Sequence, residues 1–214
     1  MATKKHKKHI QVGIKYSLDR VFAFILLALL SPLFLIIALA IYLNDRGSVF
    51  FKHPRPGLNA KPFEVWKFRS MVENADLLLK EGGSAKGLNR VTGVGKVLRK
   101  TSLDELPQLI NILKGDMSFI GPRPALMEHL ERYTEEQKER FRMKPGVTGL
   151  AQVNGRNVLK WSKRIEFDRQ YIDNYSLWLD IKILFKTVKV VFLREGISLD
   201  RNVEEVDDLG PPQA

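Results

Sequence analysis

The sequence contains no cysteine among its 214 residues. This absence excludes a disulfide framework, a thiolate zinc site and a cysteine nucleophile. Histidine is scarce as well, and the four histidines, at positions 6, 9, 53 and 129, do not have the spacing of a metal-binding motif. No Gly-x-Ser-x-Gly segment is present, so the sequence does not indicate a serine hydrolase of that type.

Acidic residues are outnumbered, with 24 Asp and Glu against 35 Lys and Arg, and the formal net charge is +11. At 44% hydrophobic and 28% charged residues, the chain is typical of one globular domain with attachments. Its positive charge predicts an anionic partner, which could be nucleic acid, a phosphate-bearing substrate or an acidic membrane face. We expect no nucleic acid, because no basic stretch is interleaved with aromatic residues.

One long apolar run stands out from this composition. Val21 to Leu43 reads VFAFILLALLSPLFLIIALAIYL, which is 23 residues without a charge. As a helix it would be roughly 35 Å long, against about 30 Å for a bilayer's hydrocarbon core. A cleavable signal peptide is the alternative, but the run exceeds the usual signal core. We therefore expect a membrane-inserted helix.

The residues alone leave two arrangements of this helix equally open, one that spans the bilayer and one that re-enters. Ser31-Pro32 lies near the middle, where Pro32 lacks an N–H and the Ser31 hydroxyl could bond a freed carbonyl. Basic residues favour the cytoplasmic side, yet they flank the run at both ends, at positions 4, 5, 7, 8, 15 and 20 and at 46, 52, 55, 61, 67 and 69. A helix–break–helix that turns back would satisfy both flanks.

The remaining sequence predicts a mainly α protein with a small β element. We expect a basic, frayed lead-in at 1–16, a membrane helix at 17–45, a compact domain at 46–198 and an acidic, disordered tail at 199–214. Within the domain we expect a hairpin at 48–71, helices at 72–82, 103–114, 125–143, 160–175 and 177–194, and loops at 82–84 and 87–95.

The last predicted helix is amphipathic. Its apolar positions are Trp178, Ile181, Leu184, Phe185, Val188 and Phe192. Such a stripe usually faces a protein core, which we favour slightly, with one edge touching lipid. The tryptophan and the lysines beside the stripe also suit a helix that lies in the membrane interface.

The segment from Val97 to Pro124 reads VLRKTSLDELPQLINILKGDMSFIGPRP and has two interpretations. Ser102 and Glu105 have the spacing of a capping box, so Asp104-Glu105 could simply open a helix. Alternatively, an ionised Asp104 could attack a phosphoryl group as a nucleophile, with Arg99 binding phosphate and a divalent ion bridging carboxylate and phosphate oxygens.

Other segments present cations or glycines on turns. Arg55-Pro56-Gly57, Lys67-Phe68-Arg69 and Gly121-Pro122-Arg123-Pro124 would together suit a pyrophosphate-bearing substrate. Residues 144–156, KPGVTGLAQVNGR, form either a structural loop or a loop that approaches a nucleotide or sugar. Gly93-Val94-Gly95-Lys96 is not a Walker A site, because Arg90 replaces the first glycine and Val97 follows the lysine.

In their order, these motifs resemble the bacterial sugar transferase family, the small monotopic polyprenol-phosphate phosphoglycosyl transferases. The resemblance runs from about Tyr16 to about Arg194. It is carried by SPLF, RPG, KFRSM, LRKTSLDELPQLINILKGDMSFIGPRP, KPGVTGLAQVNGR and FDRQYIDNYSLWLDIKIL.

The resemblance implies a Mg²⁺-dependent enzyme that moves a phospho-sugar from a UDP-sugar to polyprenol (undecaprenyl) phosphate and releases UMP. This would be the first membrane step of surface polysaccharide or glycoconjugate biosynthesis. The resemblance implies that Asp104 is the nucleophile of a covalent intermediate and that Glu105 supports it and the Mg²⁺ site. Arg99 would hold the polyprenol phosphate, and the site would be lined by Lys67, Arg69 and the turn Pro122-Arg123-Pro124, with Arg55 as a further cation.

The resemblance also favours the re-entrant arrangement, broken at Ser31-Pro32, with amphipathic helices in the interface. It places the chain in contact with lipid at the cytoplasmic face of the bacterial inner membrane, with both termini cytoplasmic. The oligomeric state stays open, a homo-oligomer included. Two other classes remain as alternatives, a membrane-tethered nucleic-acid module and a structural anchor for a glycan-synthesis complex.

Overall fold

A computed structural model describes residues 2–73, 90–155, 158–193 and 207–211 of the chain. Over these ranges the protein is mainly helical with two small sheets, which confirms the predicted combination of a mainly α protein with a small β element. The helix predicted at 72–82, apart from its first two residues, and the loop at 82–84 lie outside the described residues.

The helices are α1 (Ala2–Asp45), α2 (Gly93–Thr101), α3 (Gln108–Lys114), α4 (Met127–Leu130), α5 (Glu135–Lys138), α6 (Leu150–Val153), α7 (Trp161–Asp173) and α8 (Leu177–Leu193). The strands are β1 (Phe50–Pro56), β2 (Pro62–Phe68), β3 (Ser118–Ile120) and β4 (Gly146–Thr148). The pairing of β1 with β2 confirms the predicted hairpin. The sequence did not predict the second sheet, in which β3 runs parallel to β4 with Ser118 opposite Gly146.

Contacts divide the chain into two compact units. The unit that we call the anchor unit comprises Ala23–His53 and Val65–Asn111. The unit that we call the C-terminal unit comprises Met1–Phe22, Pro54–Glu64 and Ile112–Ala214.

The core of the anchor unit is built on the apolar part of α1. Ile37 and Ile41 are buried in one cluster with Phe68 of β2 and Leu98 of α2. The ring of Phe34 lies 5.2 Å from that of Phe68, between centroids. The apolar helix therefore packs against the strand and the helix that carry several candidate site residues.

Helix α1 remains helical through Pro32. The break expected at Ser31-Pro32 therefore does not interrupt the helix in the structure. Proline lacks the N–H that would bond the carbonyl four residues earlier, which is that of Ala28. The Ser31 hydroxyl donates to this Ala28 carbonyl at 2.8 Å, as the sequence led us to expect. The serine thus satisfies the acceptor that the proline leaves without its usual donor.

Among the described residues, Lys8–Asp45 is the helical segment long and apolar enough to cross a membrane by length and composition. Most of its apolar window is exposed rather than buried in the protein; Leu29 and Leu35 are 71% and 72% exposed. Exposure of so many large apolar side chains is costly in water and indicates contact with lipid.

The first part of α1 packs in the C-terminal unit and is not frayed from Lys8 onward, contrary to expectation. Buried Lys15 donates to Asp180 of α8 at 2.8 Å, and the Ser118 hydroxyl of β3 donates to Asp19 at 2.6 Å. The basic lead-in was misread because its lysines were treated as solvated, whereas Lys15 is buried with a carboxylate partner.

One predicted helix is divided in the structure, and one helix was not predicted. The segment predicted as one helix at 125–143 consists of α4, α5 and a 3₁₀ turn at Glu139–Arg142. Helix α5 begins at a capping box, in which Thr134 and Gln137 satisfy each other's backbone N–H groups. Helix α2 was missed because Gly93 and Gly95 were interpreted as loop residues.

Helix α8 confirms the predicted boundaries almost to the residue, but its apolar stripe does not face the core. Trp178, Leu184 and Phe185 are 62%, 52% and 73% exposed, whereas Ile183 and Asp180 on the opposite side are buried. Core packing of the predicted stripe was therefore wrong.

Candidate active site

Asp104 and Glu105 lie on a short turn that the anchor unit fixes from both sides. Ser102 ends α2 in a left-handed conformation with φ 58°, and a 3₁₀ turn at Leu103–Glu105 follows. Leu103 and Leu106 pack onto the cluster that contains Ile37 of α1, which leaves both carboxylates half-buried between them. The side chain of Ser102 makes no cap hydrogen bond, so the predicted capping box is wrong.

Charged side chains surround Asp104 within the same unit. Lys67 of β2 donates to Glu105 at 2.7 Å. Burial raises the pKa of Asp104, and the charge of Glu105 raises it further, whereas the charges of Lys67 and Arg99 lower it. The two cations therefore favour the ionised carboxylate that a nucleophile requires, against the cost of its burial.

Arg99 lies exposed on the last turn of α2 and is oriented by Ser70. Its Nε donates to the Ser70 hydroxyl at 2.9 Å. This contact uses one of the five N–H donors of a guanidinium, whose geometry suits phosphate. Ser70 was not predicted, although it belongs to the KFRSM segment that the sequence singled out.

Close packing sets the position of α2 relative to Ser70. A Cβ on Gly95 would lie 2.0 Å from the Ser70 carbonyl oxygen, so only glycine permits this approach. Thr92 caps the helix by accepting from the Gly95 N–H at 2.9 Å. Gly95, one of the two glycines that resembled part of a P-loop, thus serves helix packing.

Arg69 is buried and its two terminal nitrogens pair with carboxylates, Asp45 at the end of α1 and Glu73 at 2.9 Å. Buried Asn111 accepts from the Trp66 N–H at 2.9 Å and connects β2 to α3. These contacts hold the strand that carries Lys67. The role of Arg69 in substrate binding stays a prediction.

The second group of predicted residues lies in the C-terminal unit, on the turn Pro122-Arg123-Pro124 after β3. The Pro122 carbonyl accepts from the Gly146 N–H at 2.9 Å, and the Arg123 carbonyl accepts from Arg140 at 2.9 Å. Arg55 donates to the Ala125 carbonyl at 3.0 Å. The turn therefore presents the exposed Arg123 side chain from a fixed backbone.

This turn lines a cleft together with Pro56, Gly57 and Arg140. Burial, followed by the positive charge of Arg123, lowers the pKa of Arg55. Two guanidinium groups that repel one another beside a cleft are suited to a shared anion, which would relieve the repulsion.

Arg140 and Asp168 form a fully buried ion pair behind the turn, with 2.5 Å between Nη2 and Oδ2. Arg140 also donates to the Tyr133 hydroxyl at 2.7 Å. The sequence did not indicate this pair. Arg140 and Arg142 occur two residues apart in the same basic segment, and nothing in that segment shows that Arg140 is buried and Arg142 exposed.

The described residues contain no group of three or more His, Asp or Glu side chains that could hold a metal ion. Asp104 and Glu105 nevertheless provide two adjacent carboxylates. Mg²⁺ is commonly bound by one or two carboxylates, with substrate phosphates and water as the remaining ligands. The donor set therefore fits Mg²⁺ bound together with a phosphate substrate.

The structure thus brings the predicted residues together in two groups. Those of the anchor unit are Lys67, Arg69, Arg99, Asp104 and Glu105, and those of the C-terminal unit are Arg55, Pro122, Arg123 and Pro124. The segment at 144–155 forms β4 and α6, and Arg156 lies outside the described residues.

Comparison with known proteins identifies the family to which these residues belong. The sequence model described as bacterial sugar transferase matches residues 10–194. An uncharacterized sugar transferase, EpsL, of Bacillus subtilis (strain 168) is 45% identical over 190 residues, which cover 89% of this chain and 93% of that protein. The exopolysaccharide production protein ExoY of Rhizobium meliloti (strain 1021) is 44% identical over 196 residues, which cover 85% and 87%.

A longer relative is the UDP-glucose:undecaprenyl-phosphate glucose-1-phosphate transferase of Escherichia coli (strain K12). It is 46% identical over 193 residues, which cover 86% of this chain but 41% of that protein. The family match spans both groups of candidate site residues. The chain belongs to the bacterial sugar transferase family.

Proposed function

We propose that this protein is an enzyme that transfers a sugar phosphate from a UDP-sugar to undecaprenyl phosphate and releases UMP. The names of relatives support this proposal, among them a glucose-1-phosphate transferase and an undecaprenyl-phosphate galactose phosphotransferase of Salmonella typhimurium, 43% identical over 197 residues. Relatives named for exopolysaccharide production support a role at the first membrane step of such a pathway. The observation that carries the proposal is the half-buried Asp104 between two cations.

The proposed reaction has two displacements at one phosphorus. An oxygen of ionised Asp104 attacks the phosphorus that bears the sugar, the bond to the bridging oxygen breaks, and UMP leaves. A phosphate oxygen of undecaprenyl phosphate then attacks the same phosphorus, which releases the Asp104 carboxylate and forms the polyprenol diphosphate sugar. Because the covalent relay separates the two attacks, both substrates need not be bound at once.

The surrounding residues take roles that their contacts support. Lys67 holds Glu105 and favours the ionised form of Asp104. Arg99, held by Ser70, binds the phosphate of the acceptor. Arg123, which lines the cleft of the C-terminal unit, binds an anionic part of a substrate together with neighbouring Arg55. Asp104 and Glu105 would hold Mg²⁺, which would neutralise phosphate charge when bound.

Mass spectrometry tests the covalent step. A donor incubated with the chain without acceptor should leave one sugar phosphate on the peptide that contains Asp104. Asp104→Asn should abolish both the adduct and UMP release while leaving folding unchanged, whereas Asp173→Asn, at the exposed end of α7, should leave both intact. An adduct on another residue, or an active Asp104→Asn variant, would refute the relay. A panel of UDP-sugars in the same assay identifies the sugar.

We also propose that α1 re-enters the cytoplasmic face of the membrane by bending at Pro32, with both termini cytoplasmic. The basic residues on both flanks support this topology, and proline is the usual cause of a sharp bend in a helix. The exposed stripe of α8 would lie in the interface. Labelling of engineered cysteines at positions 9 and 52 tests the topology, because labels on opposite sides would refute re-entry. Phe185→Asp should weaken binding to vesicles if α8 contacts lipid.

A further inference from the structure

Residues 207–211, which lie beyond the family match, pack onto the rest of the C-terminal unit. The sequence predicted disorder for 199–214, but residues 207–211 are ordered, and the family match ends at residue 194. Leu209 is 8% exposed and belongs to the buried cluster that contains Ala125, Tyr133 and Phe141. This part of the tail therefore takes part in the packing of the unit.

Arg132 binds the tail at three positions. Its two terminal nitrogens donate to the two carboxylate oxygens of Asp207 at 2.8 and 2.9 Å. The same guanidinium donates to the carbonyls of Leu209 and Gly210, the latter at 2.8 Å. A bidentate, charge-assisted contact of this kind is both strong and specific for geometry.

Asp208 binds the start of α7. Its carboxylate accepts from the Ser162 N–H at 3.0 Å and from the Ser162 hydroxyl at 2.5 Å. The helix's own N-cap residue, Lys160, makes no side-chain cap hydrogen bond. The tail therefore supplies the missing cap, with a negative charge at the helix N-terminus.

The tail is connected through packed groups to the turn that carries Arg123. Ala125, which shares the buried cluster with Leu209, directly follows Pro124. Tyr133 of the same cluster accepts a hydrogen bond from Arg140, and Arg140 donates to the Arg123 carbonyl. Loss of the tail would remove Leu209 from this buried cluster.

We infer that residues 207–210 form a C-terminal clamp that positions the Pro122-Arg123-Pro124 turn for substrate. The clamp acts through the Leu209 cluster and Arg140, so its members are positioning residues. This inference rests on the proposed function, in which Arg123 binds an anionic part of a substrate, and it assigns that part to the diphosphate of the UDP-sugar donor.

Removal of the clamp and its return as a peptide test the inference. In a chain that ends at residue 206, the KM for the donor should rise on the order of tenfold with little change in kcat, as expected for a lost binding contact. Added peptide of residues 204–214 should bind in calorimetry and restore the KM. The same peptide with Leu209→Asp should do neither. An unchanged KM after truncation would overturn the inference.

A double-mutant cycle separates positioning from general support of the fold. If the clamp acts through Arg123, truncation should raise the KM of an Arg123→Ala variant much less than that of the unmodified chain. Equal, additive effects in the two backgrounds would overturn the inference.

Two point variants keep the test decisive if the truncated chain fails to fold. Leu209→Asn should raise the donor KM, whereas Leu209→Met should keep it close to that of the unmodified chain. As a control, Pro211→Ala, at an exposed position beyond the clamp, should behave as the unmodified chain. An unchanged KM in Leu209→Asn would count against the clamp. If the unmodified chain transfers no sugar phosphate, the proposed function and the kinetic role both fail, while calorimetry of the peptide still decides whether the tail docks.

Discussion

Each unit has an ion pair close to proposed site residues, and the two pairs differ in their access to water. In the C-terminal unit, the side chains of Arg140 and Asp168 are each 1% exposed. In the anchor unit, those of Lys67 and Glu105 are 30% and 19% exposed. A charge in the first pair has only its partner and neighbouring polar atoms, whereas a charge in the second also has solvent.

This difference indicates two kinds of contribution. A buried pair resists change, since removal of one partner leaves an uncompensated charge in the interior. A partly solvated pair contributes little to stability but can adjust the charge of its neighbours. The Arg140–Asp168 pair therefore supports the Arg123 turn, and the Lys67–Glu105 pair tunes Asp104.

The largest effect should come from breaking the buried pair. Asp168→Asn should lower the free energy of unfolding by about 3–5 kcal/mol, because Arg140 loses its countercharge. Urea denaturation in detergent would measure this change. Glu166→Gln is the matched control, since it breaks a surface pair with Lys163 on the same helix and should cost at most about 1 kcal/mol.

A double replacement sharpens the same comparison. Arg140→Met combined with Asp168→Leu should recover most of the lost stability, because it removes both buried charges. Equal instability of the double and single variants would show that lost packing, rather than the unpaired charge, is responsible.

An intermediate effect is expected from Lys67→Met, on the pH profile rather than on stability. Lys67 lowers the pKa of Asp104, so its removal raises that pKa, and a higher pH is needed to ionise the nucleophile. The acid limb of the UMP-release profile should therefore move to higher pH, while the free energy of unfolding changes by about 1 kcal/mol or less.

Glu105→Gln should move the acid limb of any remaining activity the opposite way, since Glu105 raises the pKa of Asp104. Lys96→Met, on the exposed face of α2, should leave the profile in place. Movement of the limb in the same direction for the Lys67 and Glu105 variants would contradict this electrostatic account.

The smallest effect should come from Asp207→Asn in the tail, whose pair with Arg132 lies at the surface. Hydrogen bonds from Arg132 lower the pKa of Asp207 below its ordinary value. The stability that this carboxylate contributes is complete above the unfolded pKa, about 3.9, and is lost as the pH falls through the lower folded pKa. The Tm difference between the unmodified chain and the variant should thus be largest near neutral pH and vanish in acid. A difference that persists there would mean that packing, not charge, holds the tail.

The parts of the fold that could be predicted are those with a sustained pattern. The apolar run, the hairpin, α7 and α8 each carry a periodicity or composition over many residues. Strands β3 and β4 have three residues each, too few for an alternation to be recognised. Helix α2 was missed because Gly95 serves a close contact with Ser70, which is distant in sequence, rather than a loop.

The candidate site was predictable only in part, for a similar reason. Asp104, Glu105 and Lys67 occur in segments rich in charge and turn residues, and the structure places them together. Ser70, which orients Arg99, and Asn111, which holds the strand that carries Lys67, are polar residues whose contacts the sequence does not specify. Burial of Arg140 and capping of α7 by Asp208 depend on contacts between distant segments, which periodicity does not report.

The contact at Gly95 has a consequence for Arg99, one turn further along the same helix. Since the backbones of α2 and Ser70 already touch, nothing can be inserted between them without moving the guanidinium away from its serine. The absence of a side chain at Gly95 thereby sets the position from which the Arg99 side chain extends toward solvent. A single methyl group there would displace the Arg99 side chain, for which we propose phosphate binding, without altering Arg99 itself.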